Sequence, residues 1–213
     1  MRRMTEIIMF KHILTANQLK LLPLVKEFSR DYYLVGGTAI ALHLGHRRSI
    51  DFDLFTSGRL KKQSIKRTID RHQCPVSDVL FEDSEQLHLV VHDVKLTFFS
   101  YPYQIDAPVD FDRIIHMPDL LTLAAMKAYA LSGRAKWKDY VDLYILLRDH
   151  VSLAQISEKS KALFGAYYNE KLFREQLCYF QDFDYSEKVD FVVQAVSDEE
   201  IKKFLTDIAT EPF

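Results

Sequence analysis

At 213 residues, the chain has room for one domain with a large extension or for two small domains. With 48% hydrophobic and 27% charged residues it reads as an ordinary soluble globular protein, and no apolar run approaches the roughly 18 residues that span a bilayer. The net charge of −2 conceals a split: residues 1–72 carry fourteen Lys/Arg against six Asp/Glu, so the remainder is strongly acidic.

Along the chain, the basic start before residue 12 has too short an apolar core for a signal peptide. Thr15-Ala16-Asn17-Gln18 has the form of a capping box and opens a helix to about Ser29. Tyr32-Tyr33-Leu34-Val35 is a short β-prone run that ends at Gly36-Gly37. Residues 38–44 read as a helix stopped by Gly45, and residues 50–55 as a strand. Residues 60–72 form a basic amphipathic helix, which suits a polyanion or is simply a solvated face. Residues 76–81 predict a strand, and residues 87–91 and 94–99 a hairpin with His92-Asp93 at the turn. Tyr101-Pro102-Tyr103 closes the sheet region. From Pro118, placed at the first helical position, the pattern is almost all helical. Ser132-Gly133 breaks this run, residues 137–148 form the next helix, and Ser152, Asn169 and Ser197 cap three more. The order predicts an α+β fold, with an α/β-type mixed-sheet core over residues 1–115 and a helical C-terminal lobe over residues 116–213 that completes a cleft. Cys74 and Cys178 have no metal-type spacing and read as free thiols in a reducing cytoplasm. The eight histidines lack metal-ligand spacing, so no structural zinc is predicted.

The chemistry concentrates in one stretch. Asp51 and Asp53 alternate on a strand whose other residues, Ile50, Phe52, Leu54 and Phe55, are apolar. Strand alternation points both carboxylates to one face. Two such charges on a strand fit for burial call for a cation, and hard divalent ions take carboxylate oxygens. Gly36-Gly37 follows a strand and precedes a helix, so a phosphate can approach its backbone and the free N–H groups of the helix start. Thirteen residues separate Gly37 from Asp51.

The pattern Val35-Gly36-Gly37, thirteen residues, Asp51-Phe52-Asp53-Leu54 resembles the signature of the polymerase-β-type nucleotidyltransferase superfamily. More narrowly, residues 36–55 are similar to the first motif of the AbiEii/AbiGii toxin family. Val94-Lys95-Leu96-Thr97-Phe98-Phe99-Ser100-Tyr101-Pro102 and the stretch from Ala125-Met126-Lys127-Ala128 to Lys138-Asp139-Tyr140-Val141-Asp142-Leu143-Tyr144 fit the same family. The resemblance covers about residues 30–148 and implies the nucleotidyltransferase fold and a reaction. Asp51 and Asp53 would hold Mg²⁺ (or Mn²⁺), and a nucleoside monophosphate would pass from a nucleoside triphosphate to an acceptor. Gly36, Gly37 and Thr38 would cradle phosphates, with Arg47, Ser49 and Lys127 as further nucleotide-binding candidates. The acceptor implied is RNA, with a tRNA end the most attractive case, and the basic helix would position its backbone. The family also implies a toxin–antitoxin system with an antitoxin partner, and no membrane.

The pattern departs from the superfamily at the third carboxylate. Lys95 or Thr97 stands where a later strand usually carries an aspartate, and Asp93 sits at the turn. Asp142, and after it Asp139, are the helical-lobe candidates for that catalytic role. Both could instead pair with Lys136, Lys138 or Arg134. Lys127 could be a buried stem with a snorkelling head, and Thr38 a helix cap. Trp137 and Tyr167-Tyr168 read as packing. Two other readings stay open: nucleotidylation of a protein or small molecule, and nucleotide binding with weak or no turnover.

Overall fold

The computed structural model describes residues 9–131, 133, 136–181 and 188–212. The basic start before residue 9, Ser132 as helix breaker and Arg134 as an ion-pair candidate lie outside the described residues.

The capping box forms as the sequence dictates. Thr15 Oγ1 accepts from the Gln18 N–H at 3.2 Å, and Gln18 Oε1 accepts from the Thr15 N–H at 3.0 Å. Helix α1 then runs Ala16–Glu27. Strand β1 (Tyr33–Val35) passes directly into α2 (Gly36–Leu44), which starts two residues earlier than its apolar pattern suggests and ends at left-handed Gly45. Strand β2 (Phe52–Thr56) leads to the basic helix α3 (Lys62–Arg71). Strands β3 (Val76–Glu82), β4 (Gln86–Val91) and β5 (Val94–Ser100) follow, and His92 and Asp93 form the β4–β5 turn with positive φ.

These strands make one mixed sheet in the order β1-β2-β5-β4-β3. Only β2 and β5 run parallel, since α3 and the β3–β4 hairpin provide the crossover between them. Alternation divides the sheet. Phe52, Leu54, Leu87, Leu89, Leu96 and Phe98 are fully buried on one face. Phe28, the residue after α1, meets Phe98 edge-on at 4.8 Å there, and Ile65 and Ile69 of α3 are buried with them. Asp53, Thr97 and His88 lie on the opposite face.

A two-stranded hairpin, β6 (Val109–Phe111) and β7 (Ile115–Met117), was absent from the sequence expectation. Pro118 is not the first helical residue: Asp119 accepts from the Thr122 N–H at 2.7 Å, and α4 (Leu120–Leu131) starts after it. Helices α5 (Trp137–Asp149), α6 (Leu153–Phe164), α7 (Glu170–Cys178) and α8 (Asp198–Ala209) complete the helical part, with Ser152, Asn169 and Ser197 as N-caps. Helices α4 and α5 pack against α2, and α4 stands over the open face of the sheet at Asp53. The segment after α7 returns to the glycine motif: the Arg48 N–H donates to the Asp190 carbonyl at 2.7 Å, and the Val192 N–H to the His46 carbonyl at 3.0 Å.

Candidate active site

Gly36 and Gly37 are required by the motif's own side chains. Gly36 has φ +72°, and a Cβ there would sit 2.1 Å from Asp53 Oδ2. A Cβ on Gly37 would sit 2.6 Å from Arg47 Nη2 and 3.1 Å from Ser49 Oγ. The glycines thus let Asp53 and Arg47 lie directly on the α2 N-terminus. This seats a carboxylate beside the free N–H groups of the helix start.

The first aspartate is fixed through its backbone. Thr38, buried on α2, donates its hydroxyl to the Asp51 carbonyl. The Asp51 carboxylate is partly exposed, with Lys95 Nζ 3.9 Å from its Oδ2. Asp53 pairs across the ladders with Val35 on β1 and Thr97 on β5. Lys95 and Thr97 therefore occupy the strand positions of the missing carboxylate. Asp93 is exposed at the turn and is not among the residues lining the cleft over this sheet face.

A cleft of about 450 Å³ opens between this sheet face and α4, within the range that takes a nucleotide-sized ligand. Gly36, Asp53, Lys95, Thr97, His88 and Gln86 supply its polar wall. Phe55, Phe99, Tyr101, Tyr103 and Tyr129 supply an aromatic wall. Asp53 is the one carboxylate among the described residues lining it.

The other candidates assemble beneath the cleft in a buried ion network. Asp142 is 0% exposed and accepts three hydrogen bonds, with Lys127 as a further ion-pair partner. His46 Nε2 and Arg47 Nε approach its Oδ1 at 2.8 and 2.7 Å. Arg47 Nη2 and Lys127 Nζ approach its Oδ2 at 2.8 and 3.0 Å. Three of the roughly four lone-pair positions of the carboxylate are thus taken by hydrogen bonds. Burial alone would raise the Asp142 pKa, but the charges of Arg47 and Lys127 and the bonds from His46 and Arg47 hold it well below 3.8. Lys127 also meets Asp139 Oδ1 at 2.7 Å. Burial disfavours its ammonium, yet Asp139 and Asp142 outweigh that and raise its pKa above 10.5. The Arg47 fork is thus turned to Asp142 rather than to the cleft, and the Lys127 stem lines the cleft while its ammonium is engaged below. Asp139 and Asp142 pair with Lys127, the cation the sequence reading had placed on the nucleotide.

The basic helix lies elsewhere. α3 covers the sheet face opposite Asp53, and Lys62 and Lys66 pair with Glu82 of β3 at 3.1 and 2.8 Å. Sequence reasoning also missed Gln86 and His88. Their signal was the alternation Gln86-Leu87-His88-Leu89, which puts two polar side chains on the cleft face of β4.

The sequence model of the family described as nucleotidyl transferase AbiEii toxin, type IV toxin–antitoxin system, matches residues 24–213, and the chain belongs to that family. An uncharacterized protein of Aquifex aeolicus is 36% identical over 126 residues, which is 56% of this chain and 59% of that protein. The chain thus matches less than two thirds of this relative's length. Among solved structures, MenT4, a nucleotidyltransferase toxin of Mycobacterium tuberculosis, aligns with TM-score 0.62 at 11% identity, over 91% of this chain and 82% of that one. JHP933 of Helicobacter pylori aligns with TM-score 0.56 at 17% identity, over 91% and 88% of the two chains. At such identities the likeness speaks for a shared fold.

Proposed function

We propose that the chain is the toxin of a toxin–antitoxin pair, and that it transfers a nucleoside monophosphate from a nucleoside triphosphate to an RNA hydroxyl. The observation that carries this reading is Asp53 seated on Gly36 at the start of α2, inside a cleft of nucleotide size. The partner would be the antitoxin that the family description implies. The reducing cytoplasm fits the two free cysteines and a triphosphate substrate. No helix among the described residues is long and apolar enough to cross a membrane.

The donor set fits a divalent ion. Asp53 on β2 and Asp51 just before that strand offer hard oxygens, and Mg²⁺ is ordinarily held by one or two carboxylates together with phosphates and water. Lys95 beside Asp51 balances charge there. Asp51 and Asp53 would hold Mg²⁺ (or Mn²⁺), which when bound neutralises the triphosphate and polarises the α-phosphorus. The N–H groups at Gly36 and Gly37 hold phosphate oxygens at the positive end of α2. Thr38 keeps the Asp51 backbone in register with that helix end. The aromatic wall takes a base by stacking. Tyr167, 78% exposed and 6.5 Å from Tyr103, extends that wall toward solvent, where an unpaired RNA base can stack. Asp142 acts from below, anchoring the Arg47 loop to α4 and α5, rather than as a proton acceptor.

The test is label transfer from each α-³²P nucleotide to total RNA by the full chain with Mg²⁺ or Mn²⁺. Asp51→Asn and Asp53→Asn should abolish transfer and Mn²⁺ binding with an unchanged far-UV spectrum. Full transfer by Asp53→Asn removes the carboxylate claim. Label on protein or small molecules instead of RNA would change the acceptor. Nucleotide binding without transfer by the wild-type chain would favour a non-catalytic binder, the reading that the absent third carboxylate supports.

A further inference from the structure

Resting on the transferase reading, we infer that His88 is the general base that takes the proton from the acceptor hydroxyl, in the role left open by the missing third carboxylate. Ladder pairing sets Asp53, Thr97 and His88 in one row across β2, β5 and β4. Adjacent strands lie about 4.8 Å apart, so the outer two backbones are separated by roughly 10 Å, with Thr97 between. All three side chains line the cleft.

Three observations single out this row. First, the Thr97 hydroxyl is buried, in a residue only 7% exposed, and has no partner among the described residues. A buried hydroxyl without a partner is costly, and such a group in a folded protein goes with a catalytic role or an ordered water or ion. An acceptor oxygen placed over Thr97 in the cleft lies between Asp53 and His88 in this row. Second, the His88 ring is held by a neighbour. Its Nε2 is 3.0 Å from Gln86 Oε1, and when Nε2 donates to that oxygen Nδ1 keeps its lone pair. Third, β3 is irregular opposite this residue. Its register shifts between Val79, paired with Leu89, and Phe81, paired with His88. Phe81 lies 5.4 Å from the imidazole and backs it on the side away from Thr97. Bulges of this kind re-aim side chains beside active sites.

The surroundings keep the ring neutral. Burial first, then the charge of Lys95, lower its pKa, against weaker upward pulls from Asp53 and Asp83. Across the cleft, Lys127 on α4 is held by Asp139 and Asp142. A neutral imidazole with a free lone pair can accept a proton at physiological pH. In the step, the acceptor O–H bond breaks and its proton goes to His88 Nδ1. The oxygen forms a bond to the α-phosphorus, and the bond from that phosphorus to the β-phosphate bridging oxygen breaks, releasing pyrophosphate.

His88→Gln and His88→Ala, in the full chain, test this. Both should lower kcat by about 10²- to 10⁴-fold while leaving KM for the nucleotide, and affinity for a non-hydrolysable analogue, at wild-type values. The acid limb of the wild-type pH–rate profile should flatten, and added imidazole should restore turnover to His88→Ala but not to Asp53→Asn. Wild-type turnover with an unchanged acid limb in both variants overturns the assignment and leaves the transferase reading standing. Absence of transfer by the wild-type chain is a failure of that reading instead. Independently of turnover, long-range ¹⁵N–¹H spectra of the histidines should show a neutral His88 ring protonated on Nε2 at neutral pH. A charged ring, or a proton on Nδ1, overturns the assignment.

Discussion

Replacing Asp142 by Asn separates an anchoring role from a chemical one. The substitution keeps the volume and removes one charge from a buried set in which Arg47 and Lys127 face Asp139 and Asp142. It leaves two buried cations against one anion and sets an amide N–H₂ where Arg47 or Lys127 donates. Breaking one partner of a buried pair costs about 3–5 kcal/mol, because the remaining charge is uncompensated. In a chain of this length each kcal/mol moves Tm by about 2–4 °C, so the melt should fall by about 6–20 °C. Thermal melting followed by circular dichroism reads the loss, with label transfer measured well below the variant's Tm. If Asp142 is an anchor, transfer at that temperature is largely retained while the melt falls. Pairing Asp142→Leu with Arg47→Met should recover part of the loss, with a coupling of about 0.5–3 kcal/mol. A variant that melts like wild type but transfers nothing would refute the anchoring argument and restore Asp142 to the chemistry.

Gly36→Ala should cost about 1–2 kcal/mol from left-handed backbone alone, and its Cβ would drive Asp53 out of place; urea melts and Mn²⁺ affinity should both decline. Acid titration has a definite sign. The Asp142 pKa is depressed on folding, so its contribution is full above its unfolded value of 3.8 and drains as pH falls below that value. Lys127 is raised above 10.5, so its contribution is full below 10.5 and is lost as pH rises through the folded value. Urea denaturation should therefore show no slope from this pair between about pH 5 and 9. A loss beginning near pH 6 that vanishes in Asp142→Asn would contradict the network.

Much of the architecture was legible because local signals agreed with the fold. The Thr15 box, the left-handed stop at Gly45 and the His92-Asp93 turn each state their geometry in a few residues. The β6–β7 hairpin was not legible. Its arms are three residues each, and Asp112 and Arg113 take positive φ without the glycine that usually announces such a turn. The start of α2 was misjudged by two residues because glycine is a poor helix former, and here it is retained for the side chains that lie on it.

The candidate site shows where reading by residue type stops. Arg47, Lys127 and Asp142 are the residue types of a phosphate clamp and a base, and sequence alone assigns them those tasks. Their mutual distances add a structural task that the sequence does not show: charges separated by 95 residues in the chain meet at 2.7 Å and hold α2's loop to α5. The reverse holds for Thr97 and His88. Neither has the look of chemistry in sequence, since a threonine in a strand is ordinary and a lone histidine usually structural. What marks them is a shared row with Asp53, a hydroxyl without a partner, and a ring held at 3.0 Å by Gln86. A missing third carboxylate on β5 therefore does not by itself make the site inert. In the proposed assignment the base lies one strand outward, an imidazole on β4 in place of an aspartate on β5, with Lys95 balancing charge and Thr97 in the row between.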